Sequence, residues 1–222
     1  MAPTKKKVAV VTLSTRKPRV GPEVAKIVTA AIAPDAAAAD IELAPLDLAD
    51  FNLPLYDEEI LPAMVPAHGQ YQHAHTKAWT SAIAAHDGYV LVIPEYNYGV
   101  AGATKNAVDY LYNEWIGKPV AVVSYGITGG TNASTAIKAT LEGMKLRLAP
   151  TRPALKFEKG ADPGEMFAAI GKGIVGEETR KVWEGEAVAA EIQKAFGEVK
   201  KELLGELEAE LPADPEKAGE KA

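Results

Sequence analysis

Three short apolar runs constrain the fold more than anything else in the chain: Val8 to Leu13, Tyr89 to Ile93, and Lys118 to Tyr125 after its first residue. They are rich in β-branched residues and lack a polar alternation, as expected of strands buried on both faces. Ile41 to Leu48 reads as a further strand, placed at a sheet edge by Pro45, and Leu155 to Phe157 as a last short one. Helical patterns separate these runs. Strands alternating with helices predict an α/β three-layer sandwich, a parallel sheet with helices on both faces.

The totals fit that reading. A chain of 222 residues, 47% apolar, suits one α/β domain with extensions. Its net charge of −6 argues against nucleic acid, which needs a basic face. With no cysteine, a disulfide framework, a thiolate metal site and a cysteine nucleophile are excluded. No window approaches the ~20 apolar residues of a membrane span, so no membrane insertion is expected. Met1 to Lys7 runs straight into a strand rather than a signal-peptide core, and the expected location is cytoplasmic.

Between the strands, a helix is expected from Pro22 to about Ile32, with Ala33 to Asp40 as a loop or frayed end. Phe51 to Tyr56 reads as irregular. Gln70 to Ala85 reads as a helix with Tyr71, Ala74, Ala78, Ala82 and Ile83 toward the sheet. His68, His73, His75 and His86 lie around it. His73 and His75, two apart, are expected on different helix faces, solvated and without metal. Another helix should carry Lys105, Asn106 and Asp109 on its first turns and Leu111 and Trp115 further along. A third should run from about Asn132 to Leu148. Gly160 to Gly164 and Gly171 to Gly176 read as turn-rich. Glu177 to Leu207 is charged and helical, with an apolar stripe at Val182, Ala189, Ile192, Phe196, Val199 and Leu203 that packs on its own domain or on another subunit. The expected organisation is a tail over 1–7, a domain over 8–176, a helical extension over 177–207 and a disordered tail over 208–222.

Three strand-to-helix loops carry the chemistry. Pro94, which has no N–H for a sheet ladder, is expected to stop its strand, and Glu95, Tyr96, Asn97, Tyr98 and Gly99 follow. Flat rings, an amide and flexible glycines suit a planar heteroaromatic ligand with polar edges; a surface turn packed on the sheet edge is the alternative. Ser14 to Pro22 brings two hydroxyls, Arg16, Arg19 and Gly21 to a helix N-terminus, an anion site or else a solvated basic turn. It is neither a Walker A nor a GxGxxG loop. Ser124 to Ala133 holds Gly126, Gly129 and Gly130. In a flavodoxin-like order of 2-1-3-4-5 for five parallel strands, these loops converge at the strand carboxyl ends. An anion site, an aromatic-amide loop and a glycine loop together describe a mononucleotide with a flat ring, and FMN fits best.

The same residues resemble the NADPH-dependent FMN reductase family, whose flavodoxin-like members include quinone, azo-dye and chromate reductases. Pro94-Glu-Tyr-Asn97, Gly99, Lys105-Asn106-Ala107 and Asp109 match its most specific pattern. Ser14-Thr-Arg16 is similar to its phosphate loop, and Ser124-Tyr-Gly126 with Gly129-Gly130 to its glycine loop. The resemblance spans roughly residues 8 to 157. It implies that Ser14, Arg16, Arg19, Val20 and Gly21 bind the FMN phosphate. Pro94, Glu95, Tyr96, Asn97 and Tyr98 would line the isoalloxazine, and Ser124, Tyr125, Gly126, Gly129 and Gly130 would close its other edge. Leu13, Arg19 and Gly21 depart from residues common in the family.

The activity so implied is an NAD(P)H-dependent FMN oxidoreductase. NADPH or NADH would give a hydride to flavin N5, and a quinone or similar electrophile would follow, with no protein nucleophile. Expected partners are a small-molecule electron acceptor and other copies of the chain, as a homodimer or homotetramer. The competing reading is a flavin-binding redox sensor that controls a protein partner.

Overall fold

A computed structural model describes residues 5–157 and 163–205. The parallel sheet runs β2 (Ile41–Asp47), β1 (Lys6–Thr12), β3 (Gly88–Tyr96), β5 (Pro119–Gly126). Its fifth position is split between β6 (Arg147–Leu148), which pairs with the start of β5, and β7 (Ala154–Lys156), which pairs with its end. A two-residue strand, β4 (Gly99–Val100), folds back antiparallel on the end of β3. The expected flavodoxin-like order is therefore present, with an interrupted edge and one added hairpin strand. Pro45 lies in β2, which among the described residues pairs only with β1.

Alternation along each central strand divides the core in two. Val8, Val10, Val90, Val92, Ala121 and Val123 face α1 (Gly21–Ala38) and α7 (Glu186–Leu204). Ala9, Val11, Leu91, Ile93, Val120 and Val122 face α2 (Ala74–Ala84), α3 (Gly102–Asp109) and α4 (Thr131–Gly143). Helices α5 (Pro163–Lys172) and α6 (Glu177–Trp183) join the first layer through Ala169 and Trp183, whose indole N–H donates to the Lys156 carbonyl at 2.8 Å. Ile192, Phe196 and Val199 of the expected apolar stripe are buried against the same core; Val182 is exposed. The described residues include no helix long and apolar enough to cross a membrane. The tail expected over 208–222 lies outside the described residues.

Several expected boundaries are corrected. Helix α1 continues past Ile32, through Pro34, to Ala38, because the alanine-rich run favours helix strongly enough to absorb one missing N–H. Strand β3 does not stop at Pro94: it pairs with β5 as far as Pro94 and runs on to Tyr96 by pairing with β4. Residues 92 and 94 direct their backbone groups to the same side. The Val92 carbonyl takes the Leu13 N–H at 3.0 Å, and pairing with β1 ends at Thr12. Pro94 thus sits where β1 has already left and no donor is required.

Helix α2 buries Thr76, Trp79, Thr80 and Ile83, while Ala74 and Ala78 are exposed. Trp79 decides this face, since its large ring is wholly buried and its N–H donates to the Ala107 carbonyl. Helix α3 ends at Asp109; Leu111 and Trp115 are buried beyond it, in a turn where Glu114 accepts the Tyr112 N–H. Helix α4 ends at Gly143, and Lys145 at φ +64 turns the chain into β6.

The segment 51–73 is held by two carboxylates. Glu58 accepts the N–H groups of Gln72 (2.7 Å) and His73 (2.9 Å) just before α2. Asp57 accepts the Tyr110 hydroxyl at 2.8 Å and lies 3.0 Å from His75 Nε2. His73 precedes the helix, so its ring stacks on that of His75, 5.2 Å apart, rather than pointing away from it. Burial pushes the Glu58 carboxyl up, but the backbone N–H groups of Gln72 and His73 and the Thr76 hydroxyl outweigh it and hold it below its ordinary value. Its contribution is therefore complete above the ordinary value of 4.5 and is lost as pH falls below it. Glu58→Gln is expected to flatten the acid limb of the stability–pH profile below about pH 4.5, measured by urea melts; an unchanged limb would exclude this group.

Phe196→Ala should lower the unfolding free energy by about 3–5 kcal/mol in one transition. A loss below ~1 kcal/mol, or a separate transition for α7, would show that the helix is not part of the core.

Candidate functional site

The loops after β1, β3 and β5 meet around a cavity of about 480 Å3. Arg16 and Val20 come from the first, Glu95, Tyr96 and Asn97 from the second, Tyr125, Gly126 and Ile127 from the third. Phe157 and three residues of α5, Met166, Ala169 and Ile170, complete its lining. Its size falls within the ~300–1,000 Å3 of small-molecule sites.

The β3–β4 connection is a two-residue hairpin. Glu95 pairs with Val100 and Tyr96 with Gly99, leaving Asn97 (φ +50) and Tyr98 (φ +62) as the turn. Positive φ at both central residues is the type I′ signature. Asn tolerates that region, but tyrosine there costs about 1–2 kcal/mol. Tyr98 projects into solvent, 82% exposed, and does not line the cavity.

Glu95 is less a ligand-facing group than a strut. Its carboxylate accepts the N–H groups of Asn132 (2.8 Å) and Ala133 (3.1 Å) and the Thr128 hydroxyl (3.2 Å). It thereby caps α4, whose own N-cap residue, Gly130, supplies no side chain. Gly130 (φ +74) is required for a second reason: a Cβ there would lie 2.8 Å from the Tyr125 nitrogen. Ser124 donates to the Gly129 carbonyl at 2.8 Å, fastening the glycine loop from below.

The first loop also divides its work. Arg19 donates to Asp47 through both terminal nitrogens, at 2.9 and 2.7 Å, and to the Ser14 carbonyl at 2.8 Å. This bidentate pair ties the loop to the end of β2. Arg16 instead donates to the Ile170 carbonyl at 2.7 Å. Ser14 Oγ is buried without a well-formed hydrogen bond in the chain, packed beside Gly21 and the Tyr125 hydroxyl. A Cβ on Gly21 would overlap it at 2.1 Å. Burial pushes the Tyr125 phenol well above its ordinary value, only partly offset by the Ser14 hydroxyl and the charges of Arg19 and Arg16, so it remains a protonated donor at neutral pH. No side chain caps α1, whose N-terminus follows this loop.

The polar residues of α3 are structural. Asn106 accepts the Tyr56 N–H at 2.9 Å and donates to the Pro54 carbonyl at 2.6 Å, bracing the segment before Asp57. Lys105 pairs with Asp109 one turn on. Thr104 donates to the Leu13 carbonyl at 2.9 Å. Among the described residues, no group of three or more His, Asp or Glu is arranged to hold a metal ion.

Thus the structure gathers Arg16, Val20, Glu95, Tyr96, Asn97, Tyr125 and Gly126 at one cavity. It sets Ser14 and Gly21 behind it, and gives Arg19, Ser124, Gly129 and Gly130 supporting positions. Met166, Ala169 and Ile170 were missed because turn-rich stretches at 160–164 and 171–176 flank them and no helix was read between; Phe157 was read only as the end of the last strand. Pro163, Glu165 and Lys172 were the available signal, a proline and an acid at a helix start and a base at its end.

A parallel sheet in this order, with its strand-end cavity flanked by an uncapped helix and a tyrosine–asparagine hairpin, defines a flavodoxin-like nucleotide-binding protein. Residues 6–159 match the model of the NADPH-dependent FMN reductase family. An NAD(P)H-dependent FMN reductase, ntnL of Nectria sp., is 49% identical over 89% of this chain and 96% of its own length. A quinone reductase of Pseudomonas putida is 36% identical over 60% of this chain and 68% of its own. An oxidoreductase of Corynebacterium diphtheriae shares the fold, with a TM-score of 0.63 at 17% identity over 91% of this chain and 98% of that one. The chain belongs to the NADPH-dependent FMN reductase family, and is accordingly an FMN-dependent oxidoreductase that draws on NAD(P)H.

Glu95→Gln removes the charge from the α4 cap and should cost about 0.3–1 kcal/mol, read as a shifted urea midpoint at unchanged slope. An unshifted midpoint would show that the capping bonds do not depend on the charge.

Proposed function

We propose that the chain passes reducing equivalents from NAD(P)H to quinones or similar electrophilic acceptors at the cavity between its three strand-end loops. The observation that carries this is the convergence of Tyr96, Asn97, Tyr125 and Gly126 with the Ser14–Gly21 loop on one cavity. These residues fit FMN. The buried Ser14 hydroxyl has no well-formed hydrogen bond in the chain, the α1 N-terminus lacks a side-chain cap, and Arg16 stands at the cavity edge, a donor set suited to a phosphate. Asn97 and the backbone of the hairpin and glycine loop offer directional bonds to a ring edge, and Tyr96 and Tyr125 offer flat surface. Arg19 serves through Asp47, by positioning the loop rather than by touching the phosphate.

Bound FMN supplies two-electron hydride chemistry, so no side chain is needed as a nucleophile. A quinone gains one hydride and one proton to become a hydroquinone, and NAD(P)H leaves as NAD(P)+. The protein's part is to orient the two substrates in turn, to keep Tyr125 protonated, and to exclude water with apolar walls. Assembly with further copies of the chain is part of the same proposal. Dependence on NAD(P)H supports a cytoplasmic setting.

The purified protein should bind FMN, bleach with NAD(P)H without oxygen, and recover its colour with a quinone; failure to bind added FMN would overturn this reading. Ser14→Ala should raise the FMN Kd about tenfold or more, the worth of a hydrogen bond to a charged group. An unchanged Kd would mean that Ser14 only fills space against Gly21.

A further inference from the structure

Helix α5 lies beyond the stretch matched by the family model, residues 6–159, yet it forms one wall of the cavity. It is held at both ends. Arg16 of the first loop donates to the Ile170 carbonyl at 2.7 Å, and Gly173, at φ +69, rests on the backbone of Arg19, where a Cβ would stand 2.7 Å from the Arg19 oxygen. At the other end the Glu165 carboxylate accepts the N–H groups of Glu178 (2.9 Å) and Thr179 (3.2 Å) and so caps α6. Ala169 is turned into the core, 3% exposed. The restraints fix which side of the helix meets the cavity: Met166 and Ile170 face it, while Phe167 is 72% exposed and does not line it.

The two walls differ in chemistry. The strand-end wall carries the amide, the phenols and the backbone donors. The α5 wall presents a thioether and a branched aliphatic side chain, which offer shape and no hydrogen bond to speak of. On the reading given above, the cofactor occupies the strand-end side. The side of the cavity against α5 is then the space left for a second ring that exchanges hydride with it.

We propose that Met166 and Ile170 are specificity-determining residues for the second substrate: they set the thickness of a slot that admits flat, apolar-faced ring acceptors and turns away those with bulky ring substituents. A fixed apolar wall discriminates by volume, and a pocket of this kind distinguishes substrates by about tenfold or more per methylene-sized mismatch. Because Arg16 joins the phosphate loop to the last turn of α5, the slot is aligned with the same loop that positions the cofactor.

The test uses the FMN-loaded full chain and the variants Met166→Ala, Ile170→Ala and their combination, with Phe167→Ala on the opposite side of α5 as the control. Two quantities are read: the ratio of kcat/KM for a tert-butyl-substituted benzoquinone to that for unsubstituted benzoquinone, and collisional quenching of flavin fluorescence by iodide. The expected result is a ratio raised about tenfold in the double variant, with increased quenching, and neither change in Phe167→Ala. FMN bound as in the unaltered chain, with ratio and quenching unmoved, would overturn the slot while leaving the flavin reading intact. Loss of FMN from Met166→Ala or Ile170→Ala would overturn it too, by making these residues part of the cofactor site. An unaltered chain that binds no FMN would instead refute the functional reading on which the slot rests.

Discussion

Strand β3 has no solvent face. It is paired on one side with β1 and on the other with β5, and from Gly88 to Pro94 every residue is buried. Such a strand can present polar chemistry only where its neighbours end. β1 ends first, at Thr12, and the chain of β3 runs past it into Glu95, Tyr96 and Asn97. The site is placed by this difference in strand length: the polar residues that follow the apolar run emerge where the first loop has already turned away.

Charge within the site region is largely committed to structure. Glu95 neutralises the N-terminal end of α4, and Arg19 is clamped by Asp47. The groups left to meet a ligand are mostly neutral donors and rings, with Arg16 at the margin. That balance suits a cofactor whose own ring carries the reaction. It also explains why the region tolerates a tyrosine at positive φ: the hairpin is held by β4 on one side and by Glu95 on the other, so the conformation is imposed by its surroundings.

The strand runs and the three loops were legible because their signals are local. Burial on both faces writes a continuous apolar run, and the Pro94–Asn97 and Lys105–Asp109 spacings sit within one turn of structure. Helix faces and ends were less legible. An alanine-rich pattern over Gln70 to Ala85 has almost no preferred side, and only the place available for Trp79 selects one. No helix was read at α5 because turn-rich stretches flank it; its position depends on Arg16 and Arg19, about 150 residues away in sequence.

By itself the sequence determined the alternation of strand and helix, the layered class of the fold, and the identity of the loops that carry chemistry. These follow from hydrophobic period and from residues adjacent in the chain. Only the tertiary structure decided what each loop residue does: that Glu95 caps a helix, that Arg19 is bound to Asp47 while Arg16 reaches Ile170, and that Pro94 lies inside a strand. Each of those depends on a partner brought near by packing, and the free energy of such a contact exists only once the chain has closed on itself.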